Sequence, residues 1–283
     1  MKNKIAITTE SAVDLSKDFQ KQYNIHVIPM NIIIGDEEYK DGIDLDAKQL
    51  YEKSELYGSL AKTSGVSPHE YKLVFETLTS QGFDVVHIAL SSKISSCFQN
   101  AQFAANGFEN VFVVDSLSLS AGMALLAIEA DKLRNADKPA SEIAHALEVL
   151  RTKISTSFIL ESTDYMQKGG RCSTLQSFSA NLFSLRPSID VIGGKLIPGK
   201  KYKGNPAEAR IKYIDDKLKE NKIADGETCM LNYSDIDESE VNELVAHLKE
   251  TAPFKDVIVN EAGCCVSAHC GKGTMGIIFQ SET

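Results

Sequence analysis

Nothing in this chain of 283 residues is built to cross a membrane. The richest apolar stretch, Val27 to Ile34, is interrupted by Pro29 and Asn31, far short of the ~18 consecutive apolar residues that a spanning helix needs. The apolar start Ile5-Ala6-Ile7 turns polar at Thr8-Thr9-Glu10, too short for a secretory h-region, so a cytoplasmic protein is expected. Excess positive charge is also absent: 30 Lys and Arg stand against 39 Asp and Glu, a net charge of −9. No basic stripe for nucleic acid follows from that balance. The densest cluster, Lys200, Lys201 and Lys203, reads as a solvated turn. The six cysteines (97, 172, 229, 264, 265 and 270) contain no C-x-x-C, and free thiols in a reducing compartment are expected.

Catalytic signatures are missing as well. No G-x-x-x-x-G-K-[ST] occurs, no G-x-G-x-x-G follows the first apolar run, and there is no G-x-S-x-G elbow. No cofactor and no nucleotide site is therefore expected in this chain. His26, His87, His145 and His247 fall at strand or helix positions without evident companions. No internal repeat and no low-complexity linker is present.

What is present is alternation. Short apolar runs at Lys4–Thr8, Ile25–Ile34, Asp84–Leu90 and Asn110–Val114 have the character of buried parallel strands. Helical patterns separate them near Leu15–Tyr23, Pro68–Ser80, Ser95–Asn106 and Leu119–Arg134, and Ser67 before Pro68 makes a good helix start. The second half reads differently: a strand at Ile154–Leu160, a Gly/Ser-rich stretch from Lys168 to Ser184, and a Gly193-Gly194 hairpin signal. Helices at Pro206–Glu220 and Asp237–Glu250 follow, with strands at Thr228–Tyr233, Val257–Val259 and Thr274–Phe279. The predicted class is α/β with two domains. Residues 1–155 form a three-layer α/β/α unit on a mainly parallel sheet, residues 156–283 a two-layer α/β unit on a mixed sheet, and the ligand lies between them.

Two features carry candidate chemistry. Hydroxyl-rich segments follow three predicted strands: Thr9-Glu10-Ser11, Ser91-Ser92-Lys93-Ile94-Ser95-Ser96 and Asp115-Ser116. Any one of these serines is by itself a helix cap. Three clusters at the carboxyl edge of one parallel sheet make an anion site. The second feature is His269-Cys270-Gly271-Lys272-Gly273-Thr274-Met275-Gly276, read as a Gly-rich turn before the last strand, where a histidine can donate, accept or carry charge. Cys264, Cys265, His269 and Cys270 also raise a zinc site, although adjacent cysteines chelate awkwardly and no metal is expected.

In order along the chain stand Thr9-Glu10-Ser11-Ala12-Val13-Asp14-Leu15, Val27-Ile28-Pro29-Met30, Tyr39-Lys40-Asp41-Gly42, Thr63-Ser64-Gly65-Val66-Ser67-Pro68, Ile94-Ser95-Ser96-Cys97-Phe98-Gln99, Tyr165-Met166-Gln167-Lys168-Gly169-Gly170-Arg171, Leu185-Arg186-Pro187 and His269 to Gly276. Together they resemble the blocks of the DegV, or EDD-fold, fatty-acid-binding proteins, which serve as the carrier (FakB-type) subunit where a fatty acid kinase system is present. The resemblance covers essentially the whole chain. It implies that Thr63 and Ser95 hold the carboxylate of a long-chain fatty acid, supported by Ser64, Ser96 and Gly170. It implies too that Arg171 and His269 assist an ATP-dependent kinase subunit at the mouth of the site. A carrier of this kind is not itself an enzyme. It is compatible with transient contact at a membrane surface and has no nucleic-acid partner. Leu182, Phe183, Leu185 and Ile189 are candidates for the tunnel wall. Against the family pattern, Ser96 replaces Gly and is expected to narrow the carboxylate pocket. Cys97-Phe98 replace Thr-Tyr, Gly65-Val66 replace Gln-Pro, and Lys272 replaces Pro, adding a charge beside His269. The alternative is a self-sufficient hydrolase or phosphotransferase using His269.

Overall fold

The computed structural model describes residues 4–170, 185–223 and 228–282. The first sheet is built from β1 (Lys4–Glu10), β2 (Ile25–Ile28), β6 (Phe83–Ala89) and β7 (Val111–Asp115), all parallel in the order β2-β1-β6-β7. β1 and β6 each end in a run of consecutive buried residues rather than an alternating pattern, as expected of strands covered on both faces. The covering helices are α1 (Lys17–Gln22), α3 (Pro68–Ser80), α4 (Cys97–Ala105), α5 (Ala121–Asn135) and α6 (Ala140–Leu150). α3 packs with α4 and α5 with α6, giving the α/β/α layers. α3 starts at Pro68, behind a reciprocal capping box between Ser67 and Glu70, which satisfies two otherwise orphaned N–H groups.

The single strand expected over 25–34 is two strands in two sheets. Pro29 offers no N–H to a ladder, β2 stops at Ile28, and β3 (Asn31–Ile34) pairs antiparallel with β4 (Glu37–Lys40) and β5 (Lys62–Ser64). Between β4 and β5 lies α2 (Ala47–Tyr57), capped by Asp46 with Gln49 and closed by Gly58 at φ +61°.

The second large sheet comprises β8 (Ile154–Ile159), β9 (Leu185–Ile192), β10 (Lys195–Lys203), β11 (Thr228–Ser234), β12 (Asp256–Glu261) and β13 (Thr274–Gln280). Its order is β10-β9-β8-β13-β11-β12, with β11–β12 the parallel pair and the other pairs antiparallel. Gly193 and Gly194, both at positive φ, turn the β9–β10 hairpin. α8 (Pro206–Glu220) and α9 (Glu238–Thr251) pack together on this sheet, and α5 of the first layer system also contacts β8, β11 and β13. Strand alternation serves both sides: Met230 and Ile278 join the core shared with the first sheet, whereas Leu231, Ile277 and Phe279 join the core under α8 and α9. α5 can rest on β8 because position 122 is glycine. A Cβ there would lie 1.9 Å from Ser118 Oγ and 2.7 Å from Thr156 Oγ1.

Two short helices complete the fold, α7 (Asp164–Gly169) and α10 (Cys264–Cys270). The stretch before the last strand is thus helical up to Cys270, and the turn begins only at Gly271. α10 packs on α7, α2, β3, β5 and the 3-10 turn Ser11–Val13. Among the described residues no helix is long and apolar enough to cross a membrane.

Candidate functional site

A cavity of about 950 Å³, counting its open mouth, lies where the carboxyl ends of the parallel sheet meet the face of the mixed sheet. Leu90, Ile94 and Leu119 approach from the first sheet, Phe158 and Ile278 from the second, and Met166 from α7. One further wall is formed by α10 and the residue Ala262 just before it. Ala262, Cys265, Val266, His269 and Cys270 all line the cavity, and their spacing of three and four is one stripe of a helix. The cavity therefore runs alongside α10. Gly276 of β13 lines it as well; a Cβ there would stand 2.8 Å from the Ser157 carbonyl oxygen, so glycine both permits the strand pairing and leaves room in the cavity.

At the C-terminal end of α10 three polar side chains converge. His269 Nε2 lies 2.7 Å from Thr63 Oγ1 of β5, and Ser95 lines the same cavity. All three are half-buried, the exposure of a mouth rather than a core. Ser95 Oγ accepts from the Cys97 N–H at 3.2 Å and donates to Cys97 Sγ at 3.1 Å. Burial pushes the Cys97 thiol up to about 11, so it is a neutral acceptor. Gly169 lets the end of α7 close on the imidazole, since a Cβ there would sit 2.5 Å from His269 Nδ1.

The other singled-out residues divide. Ser64 and Ser96 are exposed and do not line the cavity. Strand alternation turns Ser64 outward beside inward Thr63, and its hydroxyl contacts the Gly65 carbonyl at 3.4 Å. Ser96 is the exposed residue at the start of α4 and so does not narrow the pocket. Gly170 ends α7 at φ +66°. Leu185 and Ile189 sit on β9 and do not line the cavity, Ile189 packing behind Phe158, Met166 and Cys270, which do. Arg171, Leu182 and Phe183 lie outside the described residues. Lys272 adds no free charge beside His269: its ammonium pairs with Glu55 at 3.0 Å and Asp235 at 3.6 Å and lies over the Tyr51 ring. Cys264, Cys265, His269 and Cys270 do not converge. Cys264 Sγ donates to Leu45 O, Cys265 Sγ meets Met30 Sδ, and Cys270 Sγ turns to Gly271 O. Two histidines expected to stand alone have partners: His87 bonds to Thr8 and Glu10, and His247 to Asp215.

Sequence reasoning passes over a second polar cluster, at the N-terminal end of α10. The Cys264 and Cys265 N–H groups donate to the Asp41 carboxylate at 2.9 and 3.2 Å, and the Gly263 N–H donates to Asp14 Oδ1 at 2.8 Å. Two acidic side chains of the first half thus dock the N-terminal end of a second-half helix. Asp14 also accepts from Ser120 Oγ, which in turn accepts from Asn232 Nδ2 at 2.8 Å. Burial, with the nearby Asp41 charge a smaller contribution, pushes the Asp14 carboxyl up from 3.8 to about 8. Ser120 and Asn232 line the cavity. Asp14 is visible in the Thr9–Leu15 block as a family position, but nothing in the sequence around Asn232 marks it.

Fold and site together define a class: an α/β protein enclosing an apolar cavity between its two large sheets, with hydroxyls and an imidazole at one end. The chain belongs to the DegV family, whose model, described as a family of uncharacterised proteins, matches residues 4–282. It is similar to a DegV domain-containing protein of Caldanaerobacter subterraneus, 30% identical over 99% of each chain. Its fold matches that of a DegV lipid-binding protein from Thermotoga maritima (TM-score 0.86, 25% identity, 100% of this chain and 99% of that one). It also matches the B3 protein of the Streptococcus pneumoniae fatty acid kinase, solved with linoleic acid (TM-score 0.85, 20% identity, 100% of each chain).

Proposed function

We propose that this protein buries one long-chain fatty acid in the cavity beside α10 and presents its carboxylate to an ATP-dependent fatty acid kinase subunit. The observation that carries the reading is the cavity itself, apolar along most of its walls and bordered at its mouth by Thr63, Ser95 and His269. An acyl tail of ~14 methylenes gains about 11 kcal/mol gross at ~0.8 kcal/mol per CH₂, an amount that only an enclosed wall captures. A carboxylate at the end of such a wall needs hydrogen bonds, and the hydroxyls of Thr63 and Ser95 are suited to give them. In this reading residues 1–155 and 156–283 are the two halves of the clamp. Arg171, by family resemblance, and His269 receive the extra negative charge of the acyl phosphate. Kinase partnership is supported by the likeness to a fatty acid kinase protein.

The test is mass spectrometry of the purified protein, first native and then after solvent extraction. A stoichiometric long-chain fatty acid, lost on denaturation, is expected. Protein that carries none and takes up neither added palmitate nor added oleate refutes the reading.

A further inference from the structure

The cluster at the N-terminal end of α10 has no part in holding a carboxylate, yet it borders the same cavity. Gly263 and His269 are six residues apart on α10, which at ~1.5 Å per residue puts this cluster about 9 Å from the polar mouth. Ser120 gives its hydroxyl hydrogen to Asp14 Oδ2 and accepts from Asn232 Nδ2, an arrangement that fixes the carboxamide and leaves Oδ1 as its unused end. That oxygen is buried without a hydrogen-bond partner, in a residue only 5% exposed. Asn260 stands directly opposite Asn232 on the neighbouring strand, hence on the same sheet face. It is 4% exposed, and both its Oδ1 and its Nδ2 also lack partners. Buried amide atoms are nearly always bonded, and a plain hydrocarbon tail offers them nothing. The backbone is strained at the same point: Ser120 sits at φ 52° and ψ −134°, a conformation that a non-glycine residue keeps only where its surroundings hold it, and such strain gathers at ligand sites.

We propose that Asn232, with Asn260 beside it, forms a hydroxyl-recognition subsite, and that the preferred ligand is a long-chain fatty acid carrying a hydroxyl at mid-chain. The inference rests on the reading of the cavity as a fatty-acid tunnel. The ligand O–H donates to Asn232 Oδ1, the carboxamide atom that faces the cavity without a partner. An extended chain advances about 1.2 Å per bond, a third of the ~3.6 Å per extended residue, so a span of about 9 Å places the hydroxyl about seven or eight bonds from the carboxyl carbon. A hydroxyl also suits the site in either protonation state of Asp14. With its proton retained on Oδ2, Asp14 donates to Ser120, whose own hydrogen is then free for Asn232, and the carboxamide reverses to present its N–H₂. A hydroxyl both donates and accepts; a ketone accepts only, and a double bond does neither well.

The experiment uses the delipidated full-length protein, with stearate competing against hydroxystearates whose hydroxyl is moved stepwise along the chain. Bound ligand is read by native mass spectrometry. The mid-chain isomer is expected to bind at least ~10-fold tighter than stearate, equivalent to about 1.4 kcal/mol, and the terminal-hydroxyl isomer less tightly than the mid-chain one. Asn232→Leu should lose the preference, read as the ratio of mid-chain isomer to stearate bound by the same protein. The inference is overturned by wild-type protein that binds stearate as tightly as the mid-chain isomer, or by a preference that Asn232→Leu leaves unchanged. The positional series in the wild type decides the matter alone if that variant does not fold. Protein that binds neither stearate nor any isomer overturns the fatty-acid reading itself, an outcome distinct from loss of preference.

Discussion

Replacing Asp14 with asparagine should flatten the dependence of stability on pH. Asp14 is buried at the junction of the two halves, and its carboxyl rises from 3.8 to about 8 in the fold. Between those values the folded chain keeps a proton that the unfolded chain has released, so the native state binds more protons and stability falls as pH rises. The contribution is whole below about pH 4 and lost by about pH 8. A shift of about four units at ~1.36 kcal/mol each is on the order of 5 kcal/mol, a large share of the ~5–15 kcal/mol typical of a folded protein. The carboxamide introduced by Asp14→Asn would mimic the protonated acid, its oxygen accepting from the Gly263 N–H and its N–H₂ meeting Ser120 Oγ, the two groups that Asp14 now contacts. Denaturant unfolding of both proteins across this pH window measures the slopes directly. The variant should match the wild type in acid and exceed it by several kcal/mol near pH 8. Parallel curves, or a steeper slope in the variant, would refute the account of Asp14 as an acid held neutral by burial.

Three further outcomes are expected. Ser95→Ala and Thr63→Val should each weaken fatty-acid binding by about 1–3 kcal/mol, the cost of leaving a charged group short of one bond; unchanged affinity in a displacement assay removes that residue from the head-group site. His269→Ala should spare fatty-acid binding and lower acyl-phosphate formation with the kinase subunit, and outright loss of ligand would show that the imidazole binds rather than assists. Gly122→Ala should destabilise the protein by about 1–3 kcal/mol through overpacking against Ser118 and Thr156, and a Tm equal to wild type would show that α5 can shift off β8.

The parallel sheet and its helices were legible because their signals are local. Ser67 and Pro68 announce α3, and the short apolar stretches within β1 and β6 announce strands of the buried sheet. α2 carried readable signals too, Asp46 with Gln49 and then Gly58, which an eye set on strand–helix alternation passes over. α10 was hidden for a physical reason. Cys-Cys-Val-Ser-Ala-His-Cys is buried on nearly every side, so it has no polar face and no amphipathic period. In the site, Thr63, Ser95 and His269 sit in recognisable motifs and do meet at one cavity. Of the three hydroxyl clusters, two serve structure instead: Thr9 Oγ1 donates to Ile88 O and Ser11 Oγ to Asp41, while Ser116 Oγ donates to Ser118 O and Asp115 accepts from the Ser92 and Leu117 N–H groups. Asn232 and Asn260 owe their meaning to strand pairing across the sheet, which no local pattern contains.

The anchoring of α10 bears on how the chain reaches its native state. Gly263 bonds to Asp14 and His269 to Thr63, contacts that span 249 and 206 residues of sequence. Contacts so distant along the chain form only after long loops have closed, which slows folding. During synthesis, both sheets can begin to assemble while the helix that walls the cavity is still unmade. The binding site is therefore completed late, and a chain stopped short of residue 263 would lack both α10 and β13, the strand that joins β8 to β11.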